Sequence, residues 1–327
     1  WNYYIPVGSR SCAGYATMDR TNKALVSYVS TAAQYRGGNN DATLDGAYNS
    51  QLCMPATAMS ITAFREAARK NGTLWFANER VMWYVTAVLK RIIFGNRNIQ
   101  AARDTTLDSN GLQRGGTGQG VDPLDAWGEN WNYYPYLKLS VGVTNGDYTG
   151  VLNTTINDNG VSLSIGGIPS FYGLKNDYRY LYTMSENMLL QPNSDGSQSL
   201  FVADAVDGSL MDLTSVAGLT QIGTGPAIGK KNVYPKVYTL KNLAFFPTDA
   251  VDGSSSTYYG DAYIGTDATS GVYGAVIGGA NAHDYSAGSM FIGCINTPAG
   301  SAHANWGVYL GEGAEAFSTL PGWCGGD

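Results

Sequence analysis

Both histidines of the chain, His283 and His303, fall in one glycine-framed stretch, "GGANAHDYSAGSMFIGCINTPAGSAHANWGVYL" (278–310), with Asp284 beside the first. Three kinds of chemistry would use such residues. Nucleophilic hydrolysis needs a base next to a Ser or Cys. No G-x-S-x-G is present, and Ser289 in "AGSMF" does not stand in a nucleophile elbow. A zinc site wants three or four ligands with supporting partners. Two imidazoles twenty residues apart, with no H-E-x-x-H, supply too few. Glycosidase chemistry takes two carboxylates at a fixed separation. Glu312 and Glu315 could form such a pair, but nothing in the sequence fixes their distance, and they read as solvated surface charge. The expectation is therefore no catalytic group, no metal and no cofactor.

Binding is what these residue types offer. The stretch has no Lys, Arg, Glu or Gln, and Tyr273, Tyr285, Phe291, Trp306 and Tyr309 are interleaved in and around it with small polar residues. Aromatic rings give large contact area at modest entropic cost, and Asn, Ser and His give adaptable hydrogen bonds, the physics of antibody paratopes. The same types suit sugars, whose C–H faces stack on rings while hydroxyls bond to Asn and Asp.

Elements must hold such a surface in place, and two helix signals stand together upstream. In "SITAFREAARKNG" (60–72), Ser60 or Thr62 can cap, Phe64, Ala67 and Ala68 recur at helical spacing, Arg69 and Lys70 suit the C-terminal end of the dipole, and Asn71-Gly72 stops it. In "NERVMWYVTAVLKRIIFGN" (78–96), Asn78 caps, and Val81, Val85, Val88, Leu89, Ile92 and Ile93 form an apolar stripe ending at Gly95. Both stripes predict core contacts. The apolar run 81–94 is broken by Lys90 and Arg91 and is too short to span a bilayer. "LDSNGLQRGGTGQGVD" (107–122) lacks the G-K-[ST] of a phosphate loop and reads as a turn-rich loop. Strand-like runs follow at "YLKLSVGV", "GVSLSI", "RYLYTM", "SLFVA", "KVYTLKNLAFF" and "SGVYGAVI", with turn signals at Asn159-Gly160 and Asp195-Gly196. "DAVDGS" occurs at 204–209 and 249–254, where its Asp-Gly predicts a turn rather than a repeat. A helix pair followed by many short strands is an α+β arrangement, not alternating βαβ.

Composition narrows the partners. Charged residues make up only 14% of the 327, while 42 Gly and 23 Tyr favour strands and turns over helical bundles. Net charge is −6, and all 20 Lys and Arg lie at or before Lys241. From Asn242 onward there are eight acidic residues and no basic one, so that third predicts no nucleic-acid or anionic-lipid binding. Cys12, Cys53, Cys294 and Cys324 form no C-x-x-C, which leaves free thiols or one bridge, Cys294 to Cys324.

Five stretches in order carry a resemblance: "SQLCMPATAMSITAFREAARKNG" (50–72), "NRNIQAARDTTLDSNGLQRGGTGQGVD" (96–122), "SVGVTN" (140–145), "FYGLKNDYRYLYTMSENMLL" (171–190) and "SGVYGAVIGGANAHDYSAGSMF" (270–291). Together, over about residues 45–311, they resemble the C-type-lectin-fold proteins of gut bacteriophages, many of them targets of diversity-generating retroelements. The wider fold is shared with formylglycine-generating enzymes. There the matching places here read "YRYLYTM", "IGGAN" and "GVY", without that family's arginines and tryptophan, and Cys294 has no nearby partner, which leaves an oxidase-type enzyme as a lesser alternative, behind a purely structural virion protein. "QPN" (191–193) matches half of the calcium-dependent sugar motif of animal lectins, but no W-N-D follows, and it reads as a turn.

The resemblance implies a C-type-lectin-like domain over 46–327, preceded by an N-terminal segment, 1–45, that attaches it to a longer chain. It implies a virion surface protein, assembled in the bacterial cytoplasm, homo-oligomeric and attached to other virion proteins. Its partner would be a host-surface glycan or protein. Contacts would come from Tyr273, Asn281, His283, Asp284, Tyr285, Asn296, His303, Asn305 and Trp306, within a variable segment 272–310. Variation in that family arises at adenines of Asn-type codons, which cannot become Lys, Glu, Gln, Met or Trp. Residues 280–286, "ANAHDYS", belong wholly to the permitted set, as do Asn296, His303 and Asn305, whereas Met290 and Trp306 must be fixed positions.

Overall fold

The computed structural model describes residues 60–69, 75–77, 80–103, 150–158, 161–171, 174–175, 182–203, 211–278, 290, 292–294, 306–307 and 310–312, with three short N-terminal strands. Helix α1 runs Ile61–Arg69. Ser60, not Thr62, is its cap: the Ala63 N–H donates to Ser60 Oγ at 3.2 Å and the Phe64 N–H to Ser60 O at 2.9 Å. Such a cap contributes roughly 1 kcal/mol. Ile61, Phe64 and Ala68 are buried, as helical spacing requires.

Helix α2, Arg80–Phe94, lies where expected but faces differently. Of the predicted stripe only Val81 is fully buried, while Ile92 is 69% and Ile93 42% exposed. The inward face is Arg80, Trp83, Ala87 and Lys90, set by the Trp83 ring lying 4.0 Å from that of Phe245. Its first N–H is satisfied from elsewhere: Arg80 N–H donates to Asn187 Oδ1 at 3.0 Å. Asn78, the cap expected from sequence, lies outside the described residues. Gly95, at φ +61°, ends the helix as read. A five-residue helix that the sequence reading did not identify, α3 (Ile99–Arg103), follows, capped by Asn98 Oδ1 on the Ala101 N–H at 3.1 Å.

The strands run, in order, β1 Thr17–Asp19, β2 Ala24–Val26, β3 Tyr35–Arg36, β4 Trp75–Ala77, β5 Gly150–Asp158, β6 Val161–Phe171, β7 Leu174–Lys175, β8 Tyr182–Pro192 and β9 Gln198–Val202. They continue with β10 Thr220–Thr224, β11 Asn232–Val233, β12 Val237–Lys241, β13 Ala244–Asp249, β14 Tyr263–Ile264, β15 Tyr273–Gly278, β16 Ile292–Cys294, β17 Trp306–Gly307 and β18 Leu310–Glu312. The main sheet is ordered β10-β9-β8-β15-β16-β14-β11, with β17 also on β8. Its pairs are antiparallel except β14 with β16 and β17 with β8. Few helices and a mostly antiparallel sheet make the chain α+β. No helix among the described residues is long and apolar enough to cross a membrane.

Both faces of the central strands are covered, which is why all of 183–190 is buried. One face holds Met184, Leu189 and Val276 against Ile61, Phe64 and Ala68 of α1. The other holds Met188, Leu190, Ala275, Ile277 and Ile292 with Trp83 and Ala87 of α2 and Phe245 and Phe246 of β13. Between the pairs Gly274↔Leu189 and Val276↔Met184, β8 sets four residues, Ser185 to Met188, against Ala275 alone. This bulge buries Ser185, Glu186 and Asn187 completely, and each finds partners in the helices or within the bulge. Glu186 faces α1: its Oε1 accepts from Arg69 Nη2 at 3.2 Å, its Oε2 stands 3.5 Å from Arg65 Nε, and its carbonyl accepts from Arg65 Nη2 at 2.8 Å.

Turns follow the sequence signals where these are described. Asp158 pairs with Val161 in the β5–β6 pair, while the predicted turn Asn159-Gly160 itself lies outside the described residues. "QPN" leads into the β8–β9 turn, where the Asn193 N–H donates to Ser197 O at 2.9 Å and Gly196 takes φ +83°. The second "DAVDGS" is a turn as well, with the Gly253 N–H on Ala250 O. "KVYTLKNLAFF", by contrast, is not one strand: it folds back on itself as β12 and β13, with Lys241 opposite Ala244. The link Asn242-Leu243 has φ +50° and +52°, the double left-handed turn that fits a hairpin's twist. Leucine is strained there and 45% exposed. Leu243→Gly is accordingly expected to raise stability by about 1 kcal/mol in urea unfolding.

Candidate functional site

In sequence, the predicted contact residues from 281 to 305 fall in the two connections on either side of β16. β15 and β16 are adjacent and antiparallel, with Ile277 opposite Ile292, so the chain between them, which carries Asn281, His283, Asp284 and Tyr285, departs and returns on neighbouring strands. Gly278 pairs with Tyr182 on one side of β8, and Trp306 pairs with the same Tyr182 on the other. The exit of the first connection and the end of the second, which carries Asn296, His303 and Asn305, are therefore two strand spacings apart, about 10 Å. Tyr273 is set apart from both: it pairs with Leu190 at the far end of β15, roughly 17 Å along the strand from Gly278. Asn281, His283, Asp284, Tyr285, Asn296, His303 and Asn305 themselves lie outside the described residues. Of Trp306 only the backbone is placed.

What the structure adds is how the return is held. Met290, one residue before Phe291 and β16, is 4% exposed, and both of its backbone polar groups are bound by buried side chains. Its N–H donates to Asp261 Oδ2 at 2.9 Å, and its carbonyl accepts from Tyr238 Oη at 3.3 Å. Asp261 is completely buried. Its Oδ2 also accepts from Arg91 Nη2 at 3.1 Å, and its Oδ1 from Gln100 Nε2 at 2.7 Å. Gln100, also completely buried, donates to Gly260 O at 3.1 Å, and Arg91 Nη1 is tied to Ala87 O at 2.8 Å. A carboxylate with three donors, one of them the Arg91 cation, is a satisfied buried charge, and its bond to the Met290 N–H fixes one peptide unit.

Burial, and after it the Asp261 charge, hold the Tyr238 phenol well above the usual tyrosine range, so it stays a neutral donor at physiological pH. α2, α3, β12 and the turn before β14 thus converge on the residue that ends the first connection. The α3 segment is locked in turn by Gly260. A Cβ there would stand 2.5 Å from Asn98 Oδ1, and its φ is +69°. Gly260→Ala is expected to cost about 2 kcal/mol or more, read as a lower urea midpoint at unchanged slope.

No catalytic arrangement emerges at this centre. Asp261 is consumed by its donors, and among the described residues no group of three or more His, Cys, Asp or Glu could hold a metal ion. Sequence reasoning did not single out Asp261, Tyr238, Arg91 or Gln100. Their link to Met290 spans 29 to 199 positions, with no local pattern to mark it. Met290 itself is a core position. The chain matches no protein-family model and no curated protein sequence.

Proposed function

We propose that the chain is a non-enzymatic bacteriophage surface protein of C-type-lectin-like fold that binds a host-surface glycan or protein through the connections 279–291 and 295–305. The observation that supports this most is the pinned return at Met290. A recognition segment that changes its sequence needs ends that do not depend on that sequence. Here one end leaves the buried end of β15 at Gly278, and the other is bound through its backbone by Asp261 and Tyr238. Backbone contacts tolerate any neighbouring side chains, so contact residues can differ without altering the frame. The five ordered motifs supply the family reading. The packing explains two of them: "SENM" is the buried bulge and "NIQAAR" the capped helix that carries Gln100.

Binding would rest on stacking and hydrogen bonding by Asn281, His283, Asp284, Tyr285, Asn296, His303, Asn305 and Trp306. Affinity would be multiplied by several copies on one particle, attached through other virion proteins. Replacing His283 and Tyr285 together with alanine is expected to abolish attachment to host cells while the unfolding midpoint stays at the wild-type value. Unchanged attachment by that variant contradicts the site. If the 279–305 connections are found covered by a neighbouring subunit in the assembled particle, the protein is a structural virion component instead.

A further inference from the structure

Every Lys and Arg precedes Asn242, yet the fold lays three of them on a tyrosine pair from beyond that point. Lys236 Nζ stands 5.4 Å from the centre of the Tyr258 ring. The Arg97 guanidinium carbon stands 5.8 Å from the Tyr258 ring and 5.8 Å from that of Tyr259. Arg91 lies 5.4 Å from Tyr259, but its charge is taken by Asp261. Arg97 and Lys236 have no carboxylate within ion-pair distance among the described residues. Arg97 is exposed, and Lys236, Tyr258 and Tyr259 are half-buried. Tyr258 is also held at φ +49°, a conformation that a bulky residue adopts only where its surroundings impose it.

We propose that Arg97, Lys236, Tyr258 and Tyr259 form a binding site for an acidic saccharide, one whose sugar units carry carboxylate or phosphate. Two cations with no carboxylate partner among the described residues, set against aromatic rings, are ready to pair with an anion at little further loss of freedom. The tyrosine rings and hydroxyls between them suit the apolar C–H faces and hydroxyls of a sugar. In a chain of net charge −6 this is a local reversal of sign, which favours a ligand carrying discrete negative groups. The site adjoins the pinned return: Tyr259 packs edge-on against Tyr238 at 4.7 Å, and Tyr238 holds the Met290 carbonyl. The inference rests on the proposed receptor-binding role only in choosing a saccharide over an acidic peptide.

The test is calorimetric titration of the full chain with trigalacturonate, with its fully methyl-esterified form, and with a triglutamate peptide. Trigalacturonate is expected to bind, more weakly as salt rises. The ester and the peptide are each expected to bind about tenfold more weakly or worse. The Arg97→Gln, Lys236→Gln double variant is expected to lose trigalacturonate to a similar degree. Tyr258→Asn, which keeps a left-handed backbone and deletes the ring, should weaken it while retaining the wild-type circular dichroism spectrum. The H283A/Y285A variant should bind trigalacturonate as wild type does even where host attachment is lost, which separates this site from the proposed contact segment. No binding of trigalacturonate by the wild type, equal binding of the ester, or an undiminished double variant overturns the site. Tighter binding of the peptide overturns the saccharide and assigns an acidic protein partner.

Discussion

Replacing Glu186 with leucine is expected to lower the free energy of unfolding by about 3–5 kcal/mol, the cost of removing one member of a buried ion group. Glu186 is paired with both Arg65 and Arg69, whose side chains are 15% and 19% exposed. Without it those guanidiniums lose the fully buried charge they pair with on β8. The bulge is affected too, because the Glu186 carbonyl, turned out of the β15 ladder, is held by Arg65 Nη2. The triple variant Glu186→Leu, Arg65→Met, Arg69→Met is expected to recover much of the loss, since apolar replacements of a whole buried ion group are often neutral. Urea unfolding of the single and triple variants checks both statements. A single variant as stable as wild type would mean that α1 is held to β8 by its apolar face alone.

Asp261→Ala is expected to cost about 3–5 kcal/mol as well, with a second and more local signature. Alanine leaves Arg91 and Gln100 without their shared acceptor and releases the Met290 N–H. Amide exchange at Met290 and in β16 should therefore accelerate at denaturant concentrations where the rest of the sheet is still protected. Tyr238→Phe removes only the other tie, the bond to the Met290 carbonyl, and is expected to cost roughly 1 kcal/mol. If Asp261→Ala lowered global stability but left Met290 exchange slaved to global unfolding, the carboxylate would be a general core contact and not a pin on the return.

Local structure was legible in the sequence wherever a local rule governed it. Ser60 as a cap, Gly95 as a stop, Asp195-Gly196 as a turn and the α+β order of elements all follow from residues within a few positions of one another. The failures share one cause, which is contact at long range. The exposed Ile92 and Ile93 fitted a helical stripe, but the Trp83 ring found Phe245 and turned the helix toward Arg80, Ala87 and Lys90. The N–H of Arg80 found Asn187, 107 positions away. "KVYTLKNLAFF" hid a hairpin because Asn-Leu is a weak turn signal beside Asn-Gly.

The placement of charge shows the same long-range effect. The absence of cations after Lys241 described the chain and not the surface, since Arg97 and Lys236 fold onto Tyr258. For the candidate site, residue types nominate the segment, but its anchoring at Met290 has no local signal. Asp261 looks like any acidic residue after a glycine, and its importance comes from Arg91, Gln100 and Met290, none of them near it in sequence.

The central claim is that a contact segment of changeable sequence is carried by a frame that does not depend on it. It is tested most directly by randomising residues 280–286 together with 296, 303 and 305 in the purified chain, and measuring unfolding temperature and binding to bacterial cells for each variant. The account predicts unfolding temperatures within about 2 °C of wild type, the range of substitutions that leave a core untouched, alongside cell binding that varies from none to wild-type strength. Variants that mostly unfold, or that all bind cells alike, would contradict it.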